Sequence, residues 1–394
     1  MTSSVISNTI GARNPYAVAE LKLGKKINWK TKSPADKVKL MEKAFGRPYH
    51  ELFDPKFNSP LFPKKKPQNS STTSSSLLTG EGSCESCNAV WKADPNYAFF
   101  KPDAASKSVN DPVQGSHLAN CYYIAALTSV VWVTPDLIKK TRGTAAGEDS
   151  FSHYSVPANP AEKISLNEEL PWVQTDQLCY SRSNKSNETW PSLYEKAYAA
   201  WIGKKHGLIN LNRPDYTIIC QGDPFSSLEH ITGKSSAKTV WKTTDFTTGK
   251  AIFEKIQSNN VDATALKTKF PAVACTYPSS TLAPVPAIND TYYTVQYNSE
   301  QLVASHSYSL LGIHSENGKY YIVLRNPYGI SDPVSIIEPF LDKNGNKSRY
   351  DPLFATGDWG PLKNIGKQLK DPDGIFALDA DVFRTHFYKF GWVV

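Results

Sequence analysis

Cys121 heads an apolar run, Cys121-Tyr-Tyr-Ile-Ala-Ala-Leu-Thr128, and turn-forming residues from Asp111-Pro112 to Gly115 precede it. This pattern predicts a buried helix over 118–133 that starts near Asn120 and carries the thiol in its first turn. Unpaired amides and the positive end of the helix dipole favour a thiolate there, and a thiolate attacks carbonyl carbon. A cysteine in an apolar helix is more often inert core, so the chemistry depends on partners. Gln114 is one: it lies on the preceding loop, where its amide can point an N–H at a developing oxyanion beside the cysteine's own amide. The plainer reading of Gln114 is an exposed loop residue.

The base should lie far off in sequence, because nucleophile and base meet in space. His306, in Ser305-His-Ser-Tyr-Ser309, stands at the start of a predicted strand over 307–313. Asn326, in Leu324-Arg-Asn-Pro-Tyr-Gly329, stands at the end of another over 319–324. His314-Ser-Glu-Asn-Gly318 reads as the hairpin turn between them, since Asn-Gly tolerates positive φ. Positions equidistant from that turn face each other, which makes His306 and Asn326 near cross-strand neighbours. A carboxamide oxygen so placed fixes a histidine's tautomer and ring orientation.

These residues need elements to hold them. A second helix is expected over 190–202, with Leu193, Ala197, Ala200 and Trp201 on one face, and another begins near 251–257. A further strand is expected over 292–297. Helices first and strands later imply an α+β protein of two lobes. Upstream, 1–104 reads as an extension with a short helix over 37–45 and a flexible Ser/Thr-rich linker at about 67–83. Cys84 and Cys87 form a lone CxxC, which can be half a zinc site, a local disulfide or redox pair, or chance; no second CxxC or HxxxH follows, and a pair without special role is the preferred expectation.

The stretch Gln114-Gly-Ser-His-Leu-Ala-Asn-Cys121-Tyr-Tyr-Ile-Ala-Ala-Leu-Thr-Ser resembles the active-site block of the calpain cysteine peptidases. Trp190-Pro-Ser-Leu-Tyr-Glu-Lys-Ala-Tyr198, His306-Ser-Tyr-Ser309, Arg325-Asn-Pro-Tyr-Gly329 and Asp373-Gly-Ile-Phe376 through Phe383 resemble further blocks in the same order. The resemblance covers about 105–392. It implies a papain-like catalytic domain with a helical lobe at about 105–235 carrying Cys121 and a β lobe at about 236–392 carrying His306 and Asn326. It also implies endopeptidase action on protein or peptide substrates, with Gln114 stabilising the oxyanion. Ala119-Asn120 departs from the family's Gly-Asp, and Tyr328 stands where the family favours Trp, an aromatic expected to shield the His–Asn bond. The resemblance matches Asp111 to a position that helps bind calcium, which makes calcium a candidate regulator; the chemistry itself requires no cofactor.

Bulk properties narrow the class. The 394 residues carry a net charge of +7, with Lys and Arg interspersed among 37 acids, and give no nucleic-acid footprint. No run approaches the ~18–20 apolar residues of a membrane span, and residues 1–24 lack the apolar core of a secretory signal. Six cysteines are too sparse for a disulfide scaffold. A cytoplasmic setting is therefore expected; the oligomeric state is not legible. Two rival functions share the fold: an inactive homologue binding partners through its cleft, and a thiol acyltransferase.

Overall fold

The computed structural model describes residues 89–100, 111–115, 117–173, 177–184, 187–207, 210–277, 302–303, 305–329, 354–355, 357–369, 371 and 373–394, with isolated positions at 23, 25, 39, 40 and 43. Met1–Thr73 and Ser74–Val394 are separate compact units. In the first, Lys39, Leu40 and Lys43 are helical, in agreement at those positions with the helix expected over 37–45. The linker at 67–83, Cys84, Cys87 and the strand expected over 292–297 lie outside the described residues.

In the second unit, helices and antiparallel sheets share one fold. Helices α1 (Cys121–Val133), α2 (Trp190–Lys205), α3 (Pro224–Thr232), α4 (Gly249–Asn260) and α5 (Ala380–His386) accompany fourteen strands among the described residues. The strands are β1 (Val90–Lys92), β2 (Pro112–Val113), β3 (Thr141–Arg142), β4 (Glu148–His153), β5 (Glu162–Asn167), β6 (Leu170–Trp172) and β7 (Arg182–Ser183). They continue with β8 (Val240–Lys242), β9 (Lys267–Thr276), β10 (Ser307–Glu316), β11 (Lys319–Arg325), β12 (Phe354–Ala355), β13 (Ile375–Asp379) and β14 (Phe387–Trp392). Seven form a single sheet in the order β12-β13-β11-β10-β9-β14-β8. Its centre is the expected hairpin: β10 and β11 join through Asn317 (φ 52) and Gly318 (φ 76), the two positive φ angles that match strand twist.

α1 is apolar all round, and a helix of that kind must be buried. Ile124, Ala125, Ala126 and Leu127 are fully enclosed. Its polar atoms are matched to the sheet: Ser309 Oγ donates to the Ala125 carbonyl at 2.7 Å, and the Ala272 amide donates to Ser129 Oγ at 2.6 Å. Trp132 Nε1 donates to the Leu311 carbonyl at 2.8 Å. The middle and end of α1 are thus held against β9 and β10.

Two expectations need correction. The order of helices then strands fails, because β3, β4 and β5 form a three-stranded sheet between α1 and α2. In β4 the buried residues are Ser150, Phe151 and His153, too polar a set to announce a strand. Asp111-Pro112 also does more than turn, since Pro112–Val113 pairs with Arg182–Ser183. A proline fits there because the pair is two residues long and Pro112 is its first position.

Cys179 and Cys220 are disulfide-bonded, while Cys121 and Cys275 are free thiols. Too few cysteines for a disulfide scaffold still leaves room for isolated bridges, which composition does not reveal.

Candidate active site

The chain reaches Cys121 through a tightly braced loop. The Gln114 amide donates to the Pro327 carbonyl at 2.8 Å, fastening this loop to the segment after Asn326. Gln114 Nε2 donates to the Leu118 carbonyl at 2.8 Å, which uses one of its two N–H bonds, and Oε1 is buried without a hydrogen bond. Asn120 caps α1 with φ −116 and ψ 31, and Cys121 is the first residue of the helix, as the sequence predicts. His117 is half-buried on the loop between them.

His306 precedes β10 and Asn326 follows β11, so both sit at the same end of the central hairpin. Asn326 Oδ1 lies 2.9 Å from His306 Nε2. The same oxygen accepts the Tyr328 amide at 3.0 Å, so the atom facing the histidine is an acceptor and Nε2 carries the proton. Nδ1 is then the basic nitrogen, and it is buried without a hydrogen bond. The cross-strand register is offset from the simple count because a bulge falls between Leu310 and Gly312, yet the side chains meet. The Tyr328 ring packs on His306 with centroids 4.6 Å apart, the shielding place expected of an aromatic there.

The histidine backbone is equally constrained. Thr276 receives the His306 amide on its hydroxyl at 3.0 Å and gives its own amide to the His306 carbonyl at 2.9 Å. Ser305, immediately before, adopts φ 54, a region costly for a residue with a side chain, and donates its amide to the Tyr277 carbonyl.

Electrostatics sets the resting protonation. Burial pushes the Cys121 thiol up, with hydrogen bonds from Ser307, Tyr122 and its own amide opposing. Burial therefore opposes the lowering expected of a thiol at a helix start. Burial likewise lowers His306 to about 4, with the Asn326 bond opposing. Both shifts favour the neutral forms, thiol and imidazole.

Three residues carry weight that the sequence did not announce. Ser307 touches Cys121 and lies 3.9 Å from the Cys275 sulfur. Arg325 is fully buried beside Asn326; burial lowers it to about 10, while Asp373 and Asp111 hold it up. Glu195 binds the Asn120 side chain. Each needed a three-dimensional neighbour to become visible.

Asp111 is buried, with its Oδ2 receiving Trp190 Nε1 at 3.4 Å and its charge facing Arg325. Among the described residues no group of three or more His, Cys, Asp or Glu side chains gathers in metal-binding fashion. The Asp111 charge is thus set against the Arg325 guanidinium.

A model of the calpain family cysteine proteases matches residues 67–333. The match takes in Cys121, His306 and Asn326, begins well before residue 105 and stops short of the 373–383 block. A thiol protease of Porphyromonas gingivalis (strain ATCC BAA-308 / W83) is 27% identical over 310 residues, covering 75% of this chain and 56% of its own length. Calpain-12 of Mus musculus is 26% identical over 289 residues, covering 71% of this chain and 33% of its own. The chain therefore spans about half, or less, of these relatives. On this evidence the chain belongs to the calpain family of cysteine proteases.

Proposed function

We propose that the chain is a cysteine endopeptidase acting through a Cys121 acyl-enzyme. The observation that carries the reading is the His306–Asn326 pair. Its tautomer leaves Nδ1 as a base with no other partner, in the same fold as a free cysteine at a helix start. In the reaction, Cys121 Sγ attacks a peptide carbonyl and its proton passes to His306 Nδ1. The second Gln114 N–H and the Cys121 amide stabilise the oxyanion. The tetrahedral species collapses, the C–N bond breaks, and His306 returns the proton to the leaving amine. Water, deprotonated by the same nitrogen, then releases the acid and restores the thiol. The substrate would lie in a papain-like cleft between the helices around α1 and the sheet that bears His306.

Protein and peptide chains are the substrates this chemistry takes. An inactive binding module is favoured by loss of Cys, His or Asn, and all three remain. Acyl transfer is disfavoured by Asn326, since the corresponding transferases generally orient histidine with Asp. No helix among the described residues is long and apolar enough to cross a membrane. The bonded Cys179 and Cys220 favour an oxidising compartment over the cytoplasm.

The test is incubation with an unfolded protein, with and without calcium, reading new N-termini by mass spectrometry. Cleavage by the wild type and none by Cys121→Ala supports the reading. Equal cleavage by both, or none by either, overturns it, and products joined to an added amine assign the transferase instead.

A further inference from the structure

Glu195 on α2 is fully buried and takes no part in the reaction above. Its two oxygens serve different segments. Oε1 accepts Asn120 Nδ2 at 2.6 Å, and Oε2 accepts the Ser181 amide at 2.9 Å. Asn120 is the residue before Cys121, and its carbonyl receives the first helical amides, those of Tyr123 and Ile124. Its side chain makes no capping bond because it is turned to Glu195. Ser181 follows Tyr180, whose backbone lies so close to Gly115 that a Cβ there would come within 2.5 Å of it. Gly115 in turn follows Gln114. The Gln221 amide closes the loop from the other side, donating to the Ala119 carbonyl at 2.8 Å.

We propose that Glu195 is a positioning residue for Cys121: it ties Asn120 to the backbone at Ser181, and so fixes the thiol relative to the Gln114–Gly115 loop. The purpose of that positioning rests on the peptidase reading. The clamp also gives Asn120 a physical reason, because an amide donates to a carboxylate whereas a second carboxylate would repel it. Glu195 faces the phenols of Tyr122 and Tyr123 on α1 and of Tyr216 in the turn Tyr216–Ile219, and no cation among the described residues. Neighbouring Lys196 is turned away to the Asn167 and Glu169 carbonyls. Burial raises Glu195 to about 7, with the Asn120 and Ser181 bonds opposing, so the doubly accepting form prevails above that pH.

The experiment uses the full chain and the variants Glu195→Gln, Glu195→Leu, Asn120→Ala and the Leu/Ala double. Thermal unfolding reports folding. The readout is the rate of Cys121 alkylation by iodoacetamide across pH, mapped by mass spectrometry, which needs no peptidase turnover. Glu195→Leu and Asn120→Ala should each slow alkylation about tenfold, and the double no further, because both break one contact. Glu195→Gln, which can pair with Asn120 once that amide turns over, should stay within about threefold and lose a rate step near pH 7. A folded Glu195→Leu reacting at the wild-type rate, or effects that multiply in the double, overturns the proposal. Should Glu195→Leu not fold, an unchanged pH profile in Glu195→Gln overturns it equally. A reactive wild-type thiol indifferent to these changes sinks this inference alone, whereas a wild-type thiol unreactive at every pH sinks the peptidase reading and this one together.

Discussion

At the scale of single residues, enclosure pushes Cys121 and His306 toward their neutral forms, the thiol upward and the imidazole down to about 4. A preformed thiolate–imidazolium pair would alkylate at a constant rate from acid pH upward. The resting protein should instead show a Cys121 rate that climbs through the alkaline range; a flat rate beginning near pH 5 would contradict this account. Removing the base should be severe, and His306→Ala should cut turnover by about 10²–10⁴ at unchanged folding. Cys121, His306 and Asn326 stand out in the sequence as a candidate set because the chemistry admits few substitutes, and the structure brings the His306 and Asn326 side chains to 2.9 Å of each other. The thiol's direction of shift was not legible there, because the dipole argument assumes a solvated helix start and Cys121 is buried. Glu195 was hidden for a related reason: nothing in the chain says that the Asn120 side chain turns from its helix to α2.

Among the elements, α1 and β11 were readable to within a few residues, since an all-apolar run and an Asn-Gly turn leave little choice. β10, by contrast, runs to Glu316, three residues past its expected end, and leaves only Asn317-Gly318 for the turn. The sheet β3-β4-β5 was not readable, and His153 on β4 shows why. It is enclosed between Trp201 and Tyr198, at centroid distances of 5.2 and 5.7 Å, with neither ring nitrogen hydrogen-bonded. Burial lowers it to about 3 from an ordinary 6.5. The unfolded chain therefore binds a proton that the folded chain refuses, and stability is lost as pH falls from about 6.5 toward 3. His153→Phe should remove that contribution and add about 1 kcal/mol at neutral pH by abolishing unpaired buried nitrogens. Urea unfolding at several pH values checks both, and an unchanged slope in the variant would refute the assignment. At the end of β11, Arg325 faces Asp111 and Asp373 in the interior. Arg325→Met should destabilise by about 3–5 kcal/mol, because it leaves buried carboxylates without their cation; a loss under 1 kcal/mol in the same assay would show that the charges are not coupled.

For the molecule as a whole, the seven-stranded sheet carries His306 and Asn326 at one end while α1, packed on the sheet, presents Cys121. The bonded Cys179 and Cys220 add a constraint that opposes the usual handling of a thiol enzyme. Reductant strong enough to open those bonds should lower Tm, in keeping with the roughly 2–5 kcal/mol a native disulfide contributes. Unfolding scans with and without reductant read this directly, and coincident curves would show that the bridges carry no stability. The central claim is that Cys121 is a nucleophile served by His306, and its most direct measurement is labelling with a peptidyl epoxide, with and without calcium. The account predicts one adduct, on Cys121, absent in Cys121→Ala and strongly slowed in His306→Ala. A folded wild type unlabelled in both conditions, or labelled equally well without His306, would contradict it.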